Sequence, residues 1–356
     1  MKISLLVKTF DAIISSLAFH YIESFEQIVE KVSGCLIPNG DFAFSIEHPI
    51  FTAYGSQDWY YDETGNILHF VGESYMPNKT ENILTQIIHA FNGVAGIDAI
   101  VLGGSHATGT ANKDSDIDIG IYYDEASFDL TSFRQKAASL DDEHRINIIT
   151  DPGEWGPWIN GGGWLKIDGI AVDILFRDTR KVITVIDDCI DGKISIDYQC
   201  GHPFGFVNSI YMGEVAYCKI LCSNNSLISE QKKRLIELPK SYQKATIEKF
   251  LWECEFSQQC GTKAIGKGDV LYAAGSLFRC AVSLLQVLYA INGMYMLNEK
   301  GSLGRLLRQK EAFIPKDFAN DVEAALSGLS KNTIQDCFDR IQVQYNEIFS
   351  YSRQTL

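Results

Sequence analysis

A glycine turn and three aspartates carry the chemistry that this chain of 356 residues could perform. Gly103-Gly104-Ser105 is followed, after ten residues, by Asp116-Ile117-Asp118, and Asp173 sits inside the apolar run IAVDILF, residues 170–176. Residues two apart on a strand point to the same face. Asp116 and Asp118 therefore present two carboxylates about 7 Å apart, while Ile117 and Ile119 turn to the opposite, core side. An unpaired charge in the middle of an apolar strand is costly, so Asp173 needs a partner. Three acids on one sheet face repel one another unless cations bind between them, and hard oxygen donors select Mg2+ or Mn2+. Two such ions can bridge the phosphates of a nucleoside triphosphate and activate an attacking hydroxyl. The glycines let backbone N–H groups approach phosphate oxygens, and the Ser105 hydroxyl can add a hydrogen bond. Taken singly, each element is ordinary: Asp-x-Asp is often two solvated acids on an edge strand, and Gly-Gly-Ser is a common tight turn. Their combination points to metal-dependent phosphoryl chemistry.

The elements that must position these residues fall into three regions, expected at 1–80, 81–215 and 216–356. In the first, Phe10 to Ser16 reads as a buried strand. Ser24 to Gly34 has the 3.6-residue apolar period of an amphipathic helix, capped by Ser24 and ended by Gly34. Pro38-Asn39-Gly40 reads as a turn, Asp41 to Ile46 as a strand, and Trp59 to Phe70 as a hairpin turning at Glu63 to Asn66. In the second region, Asn82 to Phe91 reads as a helix. Ile97 to Leu102, Asp116 to Tyr122, Ile146 to Ile149 and Ile170 to Phe176 read as strands, with a Gly/Trp-rich loop from Gly153 to Trp164. The third region is helical over Ile228 to Leu235, Tyr242 to Glu255, Val270 to Met296, Asp317 to Ala325 and Thr333 to Phe349. The expected class is an α/β fragment, then an α+β domain with a mixed sheet, then a helical bundle.

The run LGGSHATGTANKDSDIDIG resembles the signature of the nucleotidyltransferase superfamily of DNA polymerase β type: a hydrophobic residue, Gly and Gly or Ser, then Asp-x-Asp, then a third acid on a later strand. The resemblance implies that Asp116 and Asp118 bind both metal ions and that Asp173 is the third ligand. Gly103, Gly104 and Ser105 would hold the β and γ phosphates, and an acceptor hydroxyl would attack the α-phosphate of ATP in line, releasing pyrophosphate. Residues 91–353 look like antibiotic nucleotidyltransferases of the aminoglycoside and lincosamide type. The stretch 268–301 is similar to their helical domain and would place Asn298, Glu299 and Lys300 near the phosphates and substrate. Arg279, inside an apolar helix, needs an anion, as an ion pair or a ligand contact. Glu214 is a candidate acceptor-site acid. Trp155, Trp158 and Trp164 are candidates to stack on a base or line the acceptor pocket, or are core packing. His106 follows the turn and could serve only to cap it.

Phe10 to Tyr21, Leu36 to Ser45 and Glu47-His48-Pro49 resemble the second half of a class I S-adenosylmethionine-dependent methyltransferase sheet. The glycine-rich cofactor turn of such enzymes has no counterpart in residues 1–90. The expectation is therefore a truncated fragment that binds no S-adenosylmethionine, whose open sheet edge is covered by a second copy in a homodimer.

Composition narrows the partners. The net charge of −14 leaves no basic footprint for nucleic acid. The apolar stretch Tyr272 to Leu297 carries Arg279, Gln286 and Asn292, which favours a buried helix over a membrane span. Nine cysteines without a CxxC pair read as free thiols in a reducing cytoplasm. The expected activity is Mg2+-dependent transfer of AMP from ATP to a small hydroxylated acceptor. A protein-adenylylating antitoxin and a catalytically silent scaffold are the alternatives.

Overall fold

The computed structural model describes residues 10–16, 25–45, 60–61, 67–69, 79–112 and 115–355. The chain divides into two compact units, Met1–Asn78 and Lys79–Leu356. In the first, β1 (Phe10–Ser16) and β2 (Leu36–Ser45) pair in parallel, with α1 (Phe25–Ser33) between them in sequence. The expected turn at Pro38 to Gly40 is a bulge within β2: Phe10 pairs with Leu36 but Ala12 with Asp41, so the extra residues loop out of register. A short antiparallel pair, β3 (Tyr60–Tyr61) and β4 (Ile67–His69), matches the arms of the expected hairpin. The Ser24 cap, the Glu63 to Asn66 turn and Glu47-His48-Pro49 lie outside the described residues.

The second unit is built on a five-stranded mixed sheet of β5 (Ile97–Leu102), β6 (Ile117–Tyr123), β7 (Gly162–Ile167), β8 (Ile170–Asp178) and β11 (Lys219–Ser223), with β9 (Ile196–Asp197) and β10 (Phe206–Val207) forming a separate antiparallel pair. The spatial order is β11-β5-β6-β8-β7; β6 and β8 run parallel and the other pairs antiparallel. Alternation sorts the strands onto two faces. Ile117, Ile119 and Ile121 of β6 and Val172, Ile174 and Phe176 of β8 are 0% exposed. They form one core with α2 (Lys79–Phe91) and α4 (Leu130–Leu140). Complete burial of such side chains contributes roughly 1.5–3 kcal/mol each, so the face carried by the residues between them is set with little ambiguity. On that other face, Ala99, Val101 and Tyr122 pack with α5 (Thr179–Ile190) and α6 (Ile210–Tyr217).

Some expectations change. Ile146 to Ile149 is not a strand: only Ile149 makes an isolated bridge, to Gly163, and Ile146 is 75% exposed. An apolar run without a partner strand cannot satisfy its backbone as sheet. The Gly/Trp-rich loop ends earlier than Trp164, because Gly162 already pairs with Leu175 in the edge strand β7. Strand β11 extends the sheet to Ser223, past the expected boundary at 215.

Beyond α7 (Leu227–Arg234), the chain is helical through α8 (Lys240–Gly261), α9 (Val270–Ile291), α10 (Ser302–Leu307), α11 (Phe318–Ser327) and α12 (Ile334–Thr355), which share one apolar core. The expected helix to Met296 stops at Ile291. Asn292 closes it, its side chain bonding back to the Leu288 carbonyl and across to Phe313. Among the described residues, α9 is the one helix long and apolar enough to cross a membrane, and it is largely buried. All nine cysteines are free; five are buried and Cys200 is exposed.

Candidate active site

The turn after β5 is tied to the strand that bears the acids. Gly103 N–H donates to the Asp118 carbonyl at 2.8 Å. Gly104 has φ +55, in the left-handed region, and a Cβ there would lie 1.7 Å from Asp118 Oδ2. Glycine is thus required twice, for its backbone angle and for the closeness of the carboxylate. Gly104 also opens α3 (Gly104–Thr108), a single short turn that contains Ser105 and His106.

Register brings the other groups together. Asp118 of β6 pairs with Asp173 of β8, and Asp173 pairs in turn with Trp164 of β7. Partners in register share a face of the sheet. One line therefore crosses the sheet: Gly103-Gly104, Asp118, Asp173, Trp164. Asp116 stands just before β6 and is exposed. Burial, with the charges of Asp173 and Asp116 adding to it, pushes the Asp118 carboxyl up to about 6. The Asp173 carboxyl is also raised, by burial and then by Asp116. Lys300 lowers both, so the chain brings this distant cation within electrostatic reach of the acids. His106 acts on Asp118 in the same sense, and its Nε2 is buried with no hydrogen-bond partner among the described residues.

The three tryptophans have different surroundings. Trp164 is 59% exposed beside Asp173 and stacks on Trp155, ring centroids 4.5 Å apart and planes 29° apart. Trp158 packs on Phe206 at 5.1 Å, under Lys181, and its carbonyl accepts from Tyr211 Oη, so it is a packing residue. The backbone of this segment is pinned by Gln199, which donates to the Trp155 carbonyl at 2.7 Å. Edge strand β7 is anchored by Asp141, 0% exposed, which accepts from Arg145 Nη2 and Nε and from Lys166 N–H; Arg145 also donates to the Trp164 carbonyl.

Glu214 is not a free acid. It holds Arg177 of β8 in a two-pronged pair at 2.6 and 2.7 Å. Burial alone would lower the Arg177 pKa, but the carboxylate more than reverses this and keeps the guanidinium charged. Arg279 is likewise spent in an ion pair, with Glu253. Glu299 accepts from Phe204 N–H at 2.7 Å and so ties the segment before Lys300 to the 202–204 loop. His202, in that loop, has its pKa lowered by burial despite nearby Glu299 and Glu214.

Residues 84–187, which contain the turn and all three aspartates, match the family described as "Nucleotidyltransferase domain". The chain carries a nucleotidyltransferase domain. A curated relative, an uncharacterized protein of Haemophilus influenzae, is 49% identical over 45 residues, which are 13% of this chain and 18% of the relative. The chain thus spans less than a fifth of the length of that relative. A solved nucleotidyltransferase-like protein from Exiguobacterium sibiricum aligns over 78% of this chain and 76% of its own, with 11% identity and a TM-score of 0.38.

The carboxylates of the nucleotidyltransferase domain suit magnesium as part of a shell. Among the described residues, no three His, Cys, Asp or Glu side chains close into a group able to hold an ion by themselves. Mg2+ is commonly held by one or two carboxylates together with substrate phosphates, not by an all-protein cage. The hard oxygens of Asp116, Asp118 and Asp173, and the electrostatic strain on Asp118, fit that arrangement. Neither Arg177, the partner that Glu214 requires, nor the place of Trp164 was identified in the sequence. The sequence signal for Arg177 is a lone arginine closing an apolar strand; nothing in the sequence places Trp164, whose position follows from strand pairing.

Proposed function

We propose that the chain transfers a nucleoside monophosphate, AMP from ATP, to a hydroxyl of a small acceptor, with release of pyrophosphate. The observation that carries this is the line Gly103-Gly104, Asp118, Asp173, Trp164 across one sheet face. Triphosphate lies at the glycine turn, where backbone can approach it, with Ser105 and Lys300 as further contacts. Asp116, Asp118 and Asp173 would hold two Mg2+ ions, which when bound neutralise phosphate charge and lower the pKa of the acceptor hydroxyl. Asp173 stands on the acceptor side and takes the proton. The acceptor oxygen bonds to the α-phosphorus, the bond from that phosphorus to the bridging oxygen breaks, and pyrophosphate leaves opposite. The Trp155–Trp164 pair offers the acceptor a flat surface beside Asp173. An aminoglycoside-like compound, a ring bearing hydroxyls and positive charge, suits that surface and the acidic site, and makes antibiotic modification the leading role.

Calorimetric titration of ATP with Mg2+ into the wild type and Asp116→Ala/Asp118→Ala tests this. Metal-dependent binding that the double variant loses, followed by pyrophosphate release with an aminoglycoside panel, is the expected result. Wild-type protein that binds no ATP, GTP, CTP or UTP refutes it. Methyl transfer has no part in this proposal. The parallel pair β1–β2 has no further strand among the described residues, and an open edge invites a second copy. A homodimer follows, testable by light scattering.

A further inference from the structure

On the sheet face that bears Asp118, a cavity of about 270 Å³ begins at Gly103, Gly104 and Asp118 and runs along the strands to Arg177 and Glu214. Its walls are mainly apolar, with Val101, Ile159, Leu175 and Phe206 among them. Arg177 is four residues beyond Asp173 on β8, so the run from the acids to the ion pair is about 13 Å at the rise of a strand. The volume falls just short of the roughly 300–1,000 Å³ of sites that take drug-sized ligands, which suits one ring system and a sugar.

We infer that this cavity receives the nucleoside of the donor nucleotide and that Glu214, held by Arg177, selects a base carrying an amino group. The inference rests on the nucleotidyltransferase reading of the site, and three observations support it. The turn assigned to the phosphates lines one end of the cavity, so the group that fills it is the one joined to them. The acceptor surface at Trp164 lies on the other side of Asp173. At the far end, Glu214 keeps 26% of its side chain exposed although Arg177 is 3% exposed, so the carboxylate is the reachable member of the pair. A carboxylate has about four lone-pair sites. Arg177 occupies two of them, one on each oxygen, which leaves an acceptor for an amine. Adenine, guanine and cytosine carry an amino group and uracil does not. Uracil presents a carbonyl oxygen where cytosine presents its amine, and a carbonyl set against the Glu214 carboxylate faces acceptor to acceptor, the kind of mismatch by which a hydrogen-bonding site rejects an analogue.

The test is calorimetric binding of Mg2+ with ATP, UTP or inorganic tripolyphosphate. It uses the full chain, Leu175→Trp, which fills the cavity, and the double variant Arg177→Met/Glu214→Leu, which replaces the ion pair with apolar groups of similar size. Thermal melts check that both variants fold. Expected are ATP binding at least about tenfold tighter than UTP and tripolyphosphate in the wild type; ATP reduced to the affinity of tripolyphosphate in Leu175→Trp, with tripolyphosphate unchanged; and ATP equal to UTP in the double variant. Equal ATP and UTP affinities in the wild type, or an ATP advantage that survives in Leu175→Trp, overturn the inference. A wild type that binds tripolyphosphate and gains nothing from the nucleoside of ATP overturns the cavity inference and leaves the nucleotidyltransferase reading standing. A wild type that binds neither overturns the nucleotidyltransferase reading beneath it.

Discussion

Gly104→Ala should damage the site while its neighbour Gly103→Ala does not. At position 104 the new Cβ would sit 1.7 Å from Asp118 Oδ2 and 2.5 Å from Cγ. The carboxylate must therefore swing away from the turn or the turn must lift. The φ of +55 adds a left-handed cost of roughly 1–2 kcal/mol for a residue with a Cβ. For a unit of this size, 1 kcal/mol lowers the melting temperature by about 2–4 °C, so a fall of several degrees is expected. If the displaced carboxylate loses one charge-assisted contact to the bound metal and nucleotide, about 1.5–3 kcal/mol of binding goes with it. That corresponds to a roughly 10- to 150-fold weaker affinity for ATP with Mg2+. At position 103 a Cβ meets nothing nearer than 3.7 Å, and the backbone is extended. Thermal melts and ATP titrations on both variants decide the matter. Wild-type affinity in Gly104→Ala, or equal damage in the two, would refute the claim that Asp118 is held by the closeness of this glycine.

Trp164→Ala should raise the KM for the acceptor about 2- to 10-fold, the value of one aromatic contact, without changing the affinity for ATP; steady-state kinetics with the acceptor varied measures it. Lys300→Ala should weaken nucleotide binding, and more so at low salt, because its effect on Asp118 and Asp173 is electrostatic. Asp141 is held well below the usual carboxylate range, first by its hydrogen bond from Arg145. Its folded pKa is thus below the unfolded value, so its stabilisation is present above about pH 4 and is lost as pH falls through the folded pKa. Asp141→Asn should cost about 2–3 kcal/mol at pH 7, and urea melts should show the gap to wild type closing as pH falls below 4. Chelation with EDTA should abolish pyrophosphate release, and Mg2+ should restore it.

What could be read ahead of the structure was whatever depends on neighbours in sequence. The two faces of β6 follow from the alternation of Ile117, Asp118 and Ile119, and the strand at 97–102 from an apolar run broken at Asp98. The glycine turn was legible because glycine pairs are informative about backbone. Contacts set by pairing were not legible. Nothing near Trp164 signals that it stands beside Asp173, since that follows from the register of β7 on β8. Glu214 reads in the sequence as a candidate acceptor-site acid, but its partner lies 37 residues away on another element. Ile146 to Ile149 has the composition of a strand and fails for want of a neighbour to bond.

The position of Lys300 bears on how far this chain can be shortened. The cation that moderates Asp118 and Asp173 comes after α9, and the adjoining Glu299 is fastened to the 202–204 loop. Asn298 forms part of the cavity wall. The sheet is likewise finished only by β11, at Lys219–Ser223. A chain cut after residue 215 would keep the three aspartates and the glycine turn, yet lose an edge strand, a wall of the cavity and the charge that tempers the site. The motif is local, but the electrostatic environment in which it works is assembled from the whole of residues 79–300, so a minimal catalytic fragment transplanted from this protein would carry the acids without their counterweight.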